Sequence, residues 1–67
     1  MKLHYYPETD SLYIELQPEP STDSIEISHG LVVDLNADGR VVGIDIDHAA
    51  ERMDLTRIDT VALPVRA

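Results

Sequence analysis

Apolar residues at every second position, interrupted at short intervals by turn residues, dominate this chain. Leu12, Ile14 and Leu16 alternate with Tyr13 and Glu15. Ile25 and Ile27 alternate with Ser24, Glu26 and Ser28. Leu31, Val33 and Leu35 alternate with Val32, Asp34 and Asn36, and Val42, Ile44 and Ile46 with Val41, Gly43 and Asp45. Successive side chains of a strand point to opposite faces, so each series offers one apolar face to a common core. That is the pattern of an antiparallel sheet covered on one side. A slip of one residue in any strand would turn its apolar row out to water, so the pattern also constrains register.

The turns fit this phase. "PETD" joins a first strand, Lys2 to Tyr6, to the second, and pairs Tyr5 with Leu12 and Leu3 with Ile14. "QPEPST" is a looser link, because its prolines cannot donate to a ladder. "SHG" reads as a three-residue hairpin loop with Gly30 left-handed, pairing Ile27 with Leu31 and Ile25 with Val33. "NADG" closes the next hairpin, pairing Val33 with Val42 and Leu31 with Ile44. After Ile46 the period changes. "DHAAERMDL" predicts a short helix with Asp47 as N-cap and an apolar stripe of Ala49, Ala50 and Met53. So short a helix is unstable alone and must dock on the sheet. The tail alternates again at Val61, Leu63 and Val65, and Pro64 restricts residues 57–67 to an edge strand or an extended arm. The expectation is one α+β domain over residues 1–67: a five-stranded antiparallel β-meander with one short helix packed on one face.

Composition narrows the function. A chain of 67 residues buries only about 60% of its unfolded surface. It has no cysteine, so neither a disulfide nor a thiolate zinc site can supplement the core, and it lacks Phe and Trp. Self-association, most simply as a homodimer, is the expected way to gain burial. Five basic against thirteen acidic residues give a net charge of −8, which repels phosphate backbones, so no nucleic-acid partner is expected. "MKLHYYPETD" has no apolar leader-like run and no stretch approaches membrane length. A soluble cytoplasmic protein without membrane contact is expected.

"DLNADGRVVGID" matches the opening of a calcium loop at Asp34, Asn36, Asp38 and Gly39, with Asp45 at the closing position. Such a loop must bring its first and last ligands onto one ion. In the hairpin register above, Asp34 lies opposite Val41 and Asp45 opposite Gly30, about 13 Å apart along the strands. Strand-like flanks and Val42 at a ligand position also disagree with calcium, so the stretch is read as a hairpin.

The segments "YYPETDSLYIEL" and "SIEISHGLVVDLNADGRVVGIDIDHA" resemble the domain of unknown function 2283 family. The likeness covers about residues 5 to 49: a tyrosine-led first hairpin, a DxLYI-like second strand, and a DG-x-VVGIEI-like hairpin before a short helix. This chain has "GIDID" where glutamate is commoner. The resemblance implies a small α+β bacterial or archaeal protein with no assigned activity and no catalytic residues to transfer. Relatives encoded beside small toxin-like proteins add an antitoxin-like role to what it implies.

The second face of the sheet carries His4, Tyr13, Val32, Val41 and Gly43 among Lys2, Glu15, Glu26, Asp34 and Asp45. An apolar centre with a charged rim suits a protein–protein contact. Tyr13, Glu15, Glu26, Val32, Asp34, Val41 and Asp45 are therefore the candidate partner-binding residues, with Tyr13 and Val32 as anchors. No paired carboxylates in a cleft, Ser–His–Asp spacing or Gly-rich phosphate loop is legible, so no enzyme, catalytic residue, cofactor or resident metal is expected. The expected function is a non-enzymatic interaction module, self-associating or binding a basic protein partner. The alternatives are a metal-binding protein using the Asp34–Asp38 turn or Asp45, Asp47 and His48, and a small ligand-binding or hydrolytic protein with its site between subunits.

Overall fold

The computed structural model describes residues 1–64. One antiparallel sheet contains β1 (Lys2–Tyr6), β2 (Ser11–Glu15), β3 (Asp23–Ser28), β4 (Leu31–Leu35) and β5 (Val41–Ile46), and a single helical turn, α1 (Ala49–Arg52), follows. The α+β class stands. The spatial order is β1-β2-β5-β4-β3, so the strands run sequentially except at one join, where β2 pairs with β5. Pro18 and Pro20 keep the link from laddering, and it crosses one end of the sheet to the far edge. The N–H groups of Leu16 and Gln17 donate to the Val42 carbonyl (2.9 and 3.2 Å) and that of Thr22 to the Leu35 carbonyl (2.8 Å). Asn36 Nδ2 donates to Glu19 Oε1 at 3.2 Å, tying the crossing link to the turn beneath it.

The first hairpin has the expected register, with Tyr5 opposite Leu12 and Leu3 opposite Ile14. Two later registers need correction. Ile25 faces Val33 as expected, but Ser28 rather than Ile27 faces Leu31. A bulge absorbs Ile27, shortens the loop to His29 and Gly30, and leaves Ile27 60% exposed. In the β4–β5 hairpin the offset is two residues: Val33 faces Ile44 and Leu31 faces Ile46, not Val42 and Ile44. Half of that shift comes from the turn. Asn36 Oδ1 accepts the N–H groups of Asp38 and Arg40, both at 3.0 Å, so the loop extends through Arg40 before Leu35 pairs with Val41. The turn also holds Gly39 at φ 80, a conformation most side chains resist. A bulge supplies the other half, since Val42 is the extra residue between the Leu35–Val41 and Asp34–Gly43 pairs. An offset of two preserves the faces, so both apolar rows survive.

Those rows are Leu3–Ile14–Ile44–Val33–Ile25 and Tyr5–Leu12–Ile46–Leu31–Ser28, running strand to strand across one face. Little covers them. Among the described residues Leu12, Val42 and Ala49 are the buried hydrophobic ones, while Leu3 and Ile25, at the ends of the first row, are each 46% exposed. The helix sits at the end of the sheet opposite the crossing link. It spans from the β1–β2 turn to the β3–β4 turn, where Arg52 Nη2 donates to the His29 carbonyl at 2.6 Å. As far as Pro64 the tail has no strand, so it runs as an arm; Val65 lies outside the described residues.

The helix cap is a further correction. Asp47 does not cap: its Oδ1 accepts from Ser11 Oγ (3.2 Å), and its N–H donates to the Gly30 carbonyl (2.8 Å). His48 occupies the N-cap position in a left-handed conformation, φ 54, without a side-chain cap. The cap comes from the first hairpin. The Asp10 carbonyl accepts the Ala49 N–H (2.9 Å), Asp10 Oδ1 accepts the Ala50 N–H (3.0 Å), and Tyr5 Oη donates to the same oxygen at 2.8 Å. A residue distant in sequence thus satisfies the orphan donors of a turn too short to stand alone. Asp10→Ala should lower unfolding free energy by about 1 kcal/mol in urea titrations, the usual worth of an N-cap. Asp47→Ala should cost distinctly less, and equal losses would contradict the capping assignment.

Candidate functional site

The second face is built in two rows. One runs His4–Tyr13–Asp45–Val32–Glu26 and the other Lys2–Glu15–Gly43–Asp34–Ser24. Tyr13, Glu15, Glu26, Val32, Asp34 and Asp45 therefore share this surface. Val41 does not join them, because the bulge pairs it with Leu35 instead of Asp34.

Tyr13 organises the centre. It stands opposite Asp45, leans over Gly43, and its hydroxyl donates to Asp34 Oδ2 at 2.8 Å on the strand beyond. Ser24 Oγ donates to Asp34 Oδ1 at 2.7 Å, so one network spans from β2 to β3. The bridge needs glycine at 43: a Cβ there would run into the Tyr13 hydroxyl and ring. Burial, the Asp34 hydrogen bond and the nearby charges of Asp34, Glu15 and Asp45 push the Tyr13 phenol up to about 12. His4 and Tyr6 stack at 4.3 Å between ring centroids on the neighbouring strand.

Asp45 is the strained member. Its Oδ1 is buried without a hydrogen-bond partner. Burial, then the charges of Asp47 and Asp34, raise its carboxyl above the usual 3.8. It lies in a shallow cleft with Tyr6, Thr9, Ser11 and Tyr13.

The two metal alternatives meet a different geometry from the one expected. With the register offset, Asp34 pairs with Gly43 and Asp45 with Val32, so the two acids are diagonal neighbours rather than far apart. Their separation therefore does not decide against calcium. The use of their atoms is more telling: Asp34 is held by Tyr13 and Ser24, and Asn36 turns its oxygen to backbone N–H groups of its own loop. The Asp45, Asp47 and His48 set is not gathered either, since His48 Nδ1 lies 3.3 Å from Glu51 and Asp47 accepts from Ser11. Among the described residues no three His, Asp or Glu side chains converge as a metal site, and no helix is long and apolar enough to cross a membrane.

Two contributions escaped the sequence reading. Ser24 and Asp10 are separated in sequence from what they bind, and only the alternation phase could have placed Ser24 beside Asp34. Gly43, placed on this face by its phase, marks a close approach as an interior strand glycine does, and the structure shows that the approaching group is Tyr13.

The family described as "Protein of unknown function (DUF2283)" matches residues 2–49, more than half of the chain. The chain belongs to that family. The match ends at Ala49, so all five strands and both rows of the second face lie within the part shared with the family, while the helix beyond its first residue and the arm lie outside it. No curated protein and no solved structure matches the chain significantly.

The raised Tyr13 pKa has a direction in stability. The folded chain holds this proton more tightly than the unfolded chain, whose phenol titrates near 10.0. The contribution is complete below that value and is lost as pH climbs towards about 12. Phenolate absorbance of the folded protein should show a tyrosine titrating near the upper value, absent in Tyr13→Phe and moved down in Gly43→Ala. A Tyr13 that titrates at its ordinary value would contradict the bridge.

Proposed function

We propose that this chain is a non-enzymatic interaction module that self-associates and offers its second sheet face to a basic protein partner. Asp45 carries the reading. A carboxylate with a buried, unpartnered oxygen, held where its charge is disfavoured, gains more from an arriving cation than a solvated one does. The cleft around it is walled by Tyr6 and Tyr13, whose rings suit a lysine or arginine side chain. Glu15 and Glu26 flank it in the same two rows, while Asp34 is already engaged. Net charge of −8 speeds encounter with a basic surface. A small basic toxin-like protein, of the kind the family likeness implies, fits this description. The non-enzymatic part of the reading rests on an open face on which Tyr13, Ser24 and Asp34 are engaged with one another. Self-association is supported by the thin core.

Immobilised chain should retain a basic protein from the source organism's lysate at low salt and release it at high salt, where exposed charges are screened. Asp45→Asn should abolish retention while raising the thermal midpoint, because it removes a disfavoured charge without removing volume. Retention that ignores both salt and Asp45→Asn would overturn the proposal.

A further inference from the structure

The first apolar row, Leu3–Ile14–Ile44–Val33–Ile25, is uncharged across all five strands, and none of its members is buried. Among the described residues, no other segment buries it: Ile14, Ile44 and Val33 are half-buried, and Leu3 and Ile25 are exposed. Met53, Leu55 and Ile58 form a groove with Leu3, Tyr5 and Leu12 at the β1 corner only. Ile58 in that groove is still 71% exposed, and beyond it the arm carries two more exposed apolar side chains, Val61 at 86% and Leu63 at 51%. An uncovered apolar sheet and an uncovered apolar arm on one chain are complementary to each other.

We propose that a second copy of this chain docks face to face on this row, with the arms around Ile58, Val61 and Leu63 completing the contact. The inference rests on the self-association reading and assigns its surface. Four inter-strand gaps of about 4.8 Å and a rise of about 3.4 Å per residue give the whole sheet a projected face on the order of 300 Å², of which this row is less than half. A stable interface removes about 800 Å² per partner, so the sheet alone falls short and the arms are required. The occupant must be flat, apolar and uncharged over five strands, which the same face of another copy supplies, and sheets so stacked pack about 10 Å apart. Charge favours this arrangement too. Stacking by the apolar faces turns both acidic faces outward, away from each other, and leaves the Asp45 clefts free. The contact is two-fold and isologous.

Sedimentation at micromolar concentration should give twice the 7.5 kDa chain mass. Ile25→Glu, at an exposed edge of the row, and the double variant Val61→Glu with Leu63→Glu, off the sheet entirely, should each weaken the dimer at least tenfold with the strand circular-dichroism signal retained. Val32→Lys, on the opposite face, should leave the dimer intact. If Ile25→Glu unfolds, the arm variant decides. A dimer that survives the first two variants and is lost with Val32→Lys overturns this docking while leaving self-association standing. A dimer lost only with Ile25→Glu overturns the role of the arms. A wild-type chain that stays monomeric at high micromolar concentration overturns self-association itself.

Discussion

A single layer of five strands with one apolar face needs a second layer, and the described residues supply one turn of helix and an arm. The rest of the structure follows from that shortage. Asp10 must cap the helix from the first hairpin because four residues cannot hold a helical turn by themselves. Arg52 pins the other end of the helix to the β3–β4 turn. Even so, the helix closes only one end of the sheet. Leu12 and Ala49 become buried while the row from Leu3 to Ile25 stays accessible to solvent.

The two faces solve different problems. On the apolar face the row from Leu3 to Ile25 is made of branched aliphatics, and what matters there is that something covers them. On the other face identity matters. Tyr13 reaches Asp34 only because Gly43 leaves room beneath the ring, and Ser24 completes the pairing from the edge strand. Polar groups partnered in this way, part-buried at Tyr13 and Asp34, help to fix the centre of the sheet. Asp45, one residue from that network, is left with an unpartnered oxygen. Local departures from good folding practice tend to mark functional positions, and this one lies in a cleft with two tyrosines.

Much of this fold was legible in the sequence. Period-2 alternation placed every strand, and the turn residues gave the first hairpin its register. The β4–β5 register was misjudged by two residues because Asn36 accepts two N–H groups of its loop and because Val42 bulges, and neither effect changes the apolar pattern. Parity therefore survived where spacing did not, and most of the candidate face was assembled correctly from the wrong offset. Val41 was lost to the bulge. The pairing of β2 with β5 was hidden because it joins segments separated by two other strands. The Asp10 cap was hidden because Asp47, adjacent to the helix, is the better local candidate.

Coverage of the apolar row in solution tests the account most directly. A soluble paramagnetic probe reports methyl accessibility by nuclear magnetic resonance relaxation, residue by residue. At concentrations where the chain is associated, the methyls of Ile14, Ile44 and Val33 should be protected, and dilution should expose them while Val32 on the opposite face stays unchanged. Strong relaxation of Ile14, Ile44 and Val33 at every concentration, equal to that of Val32, would contradict it.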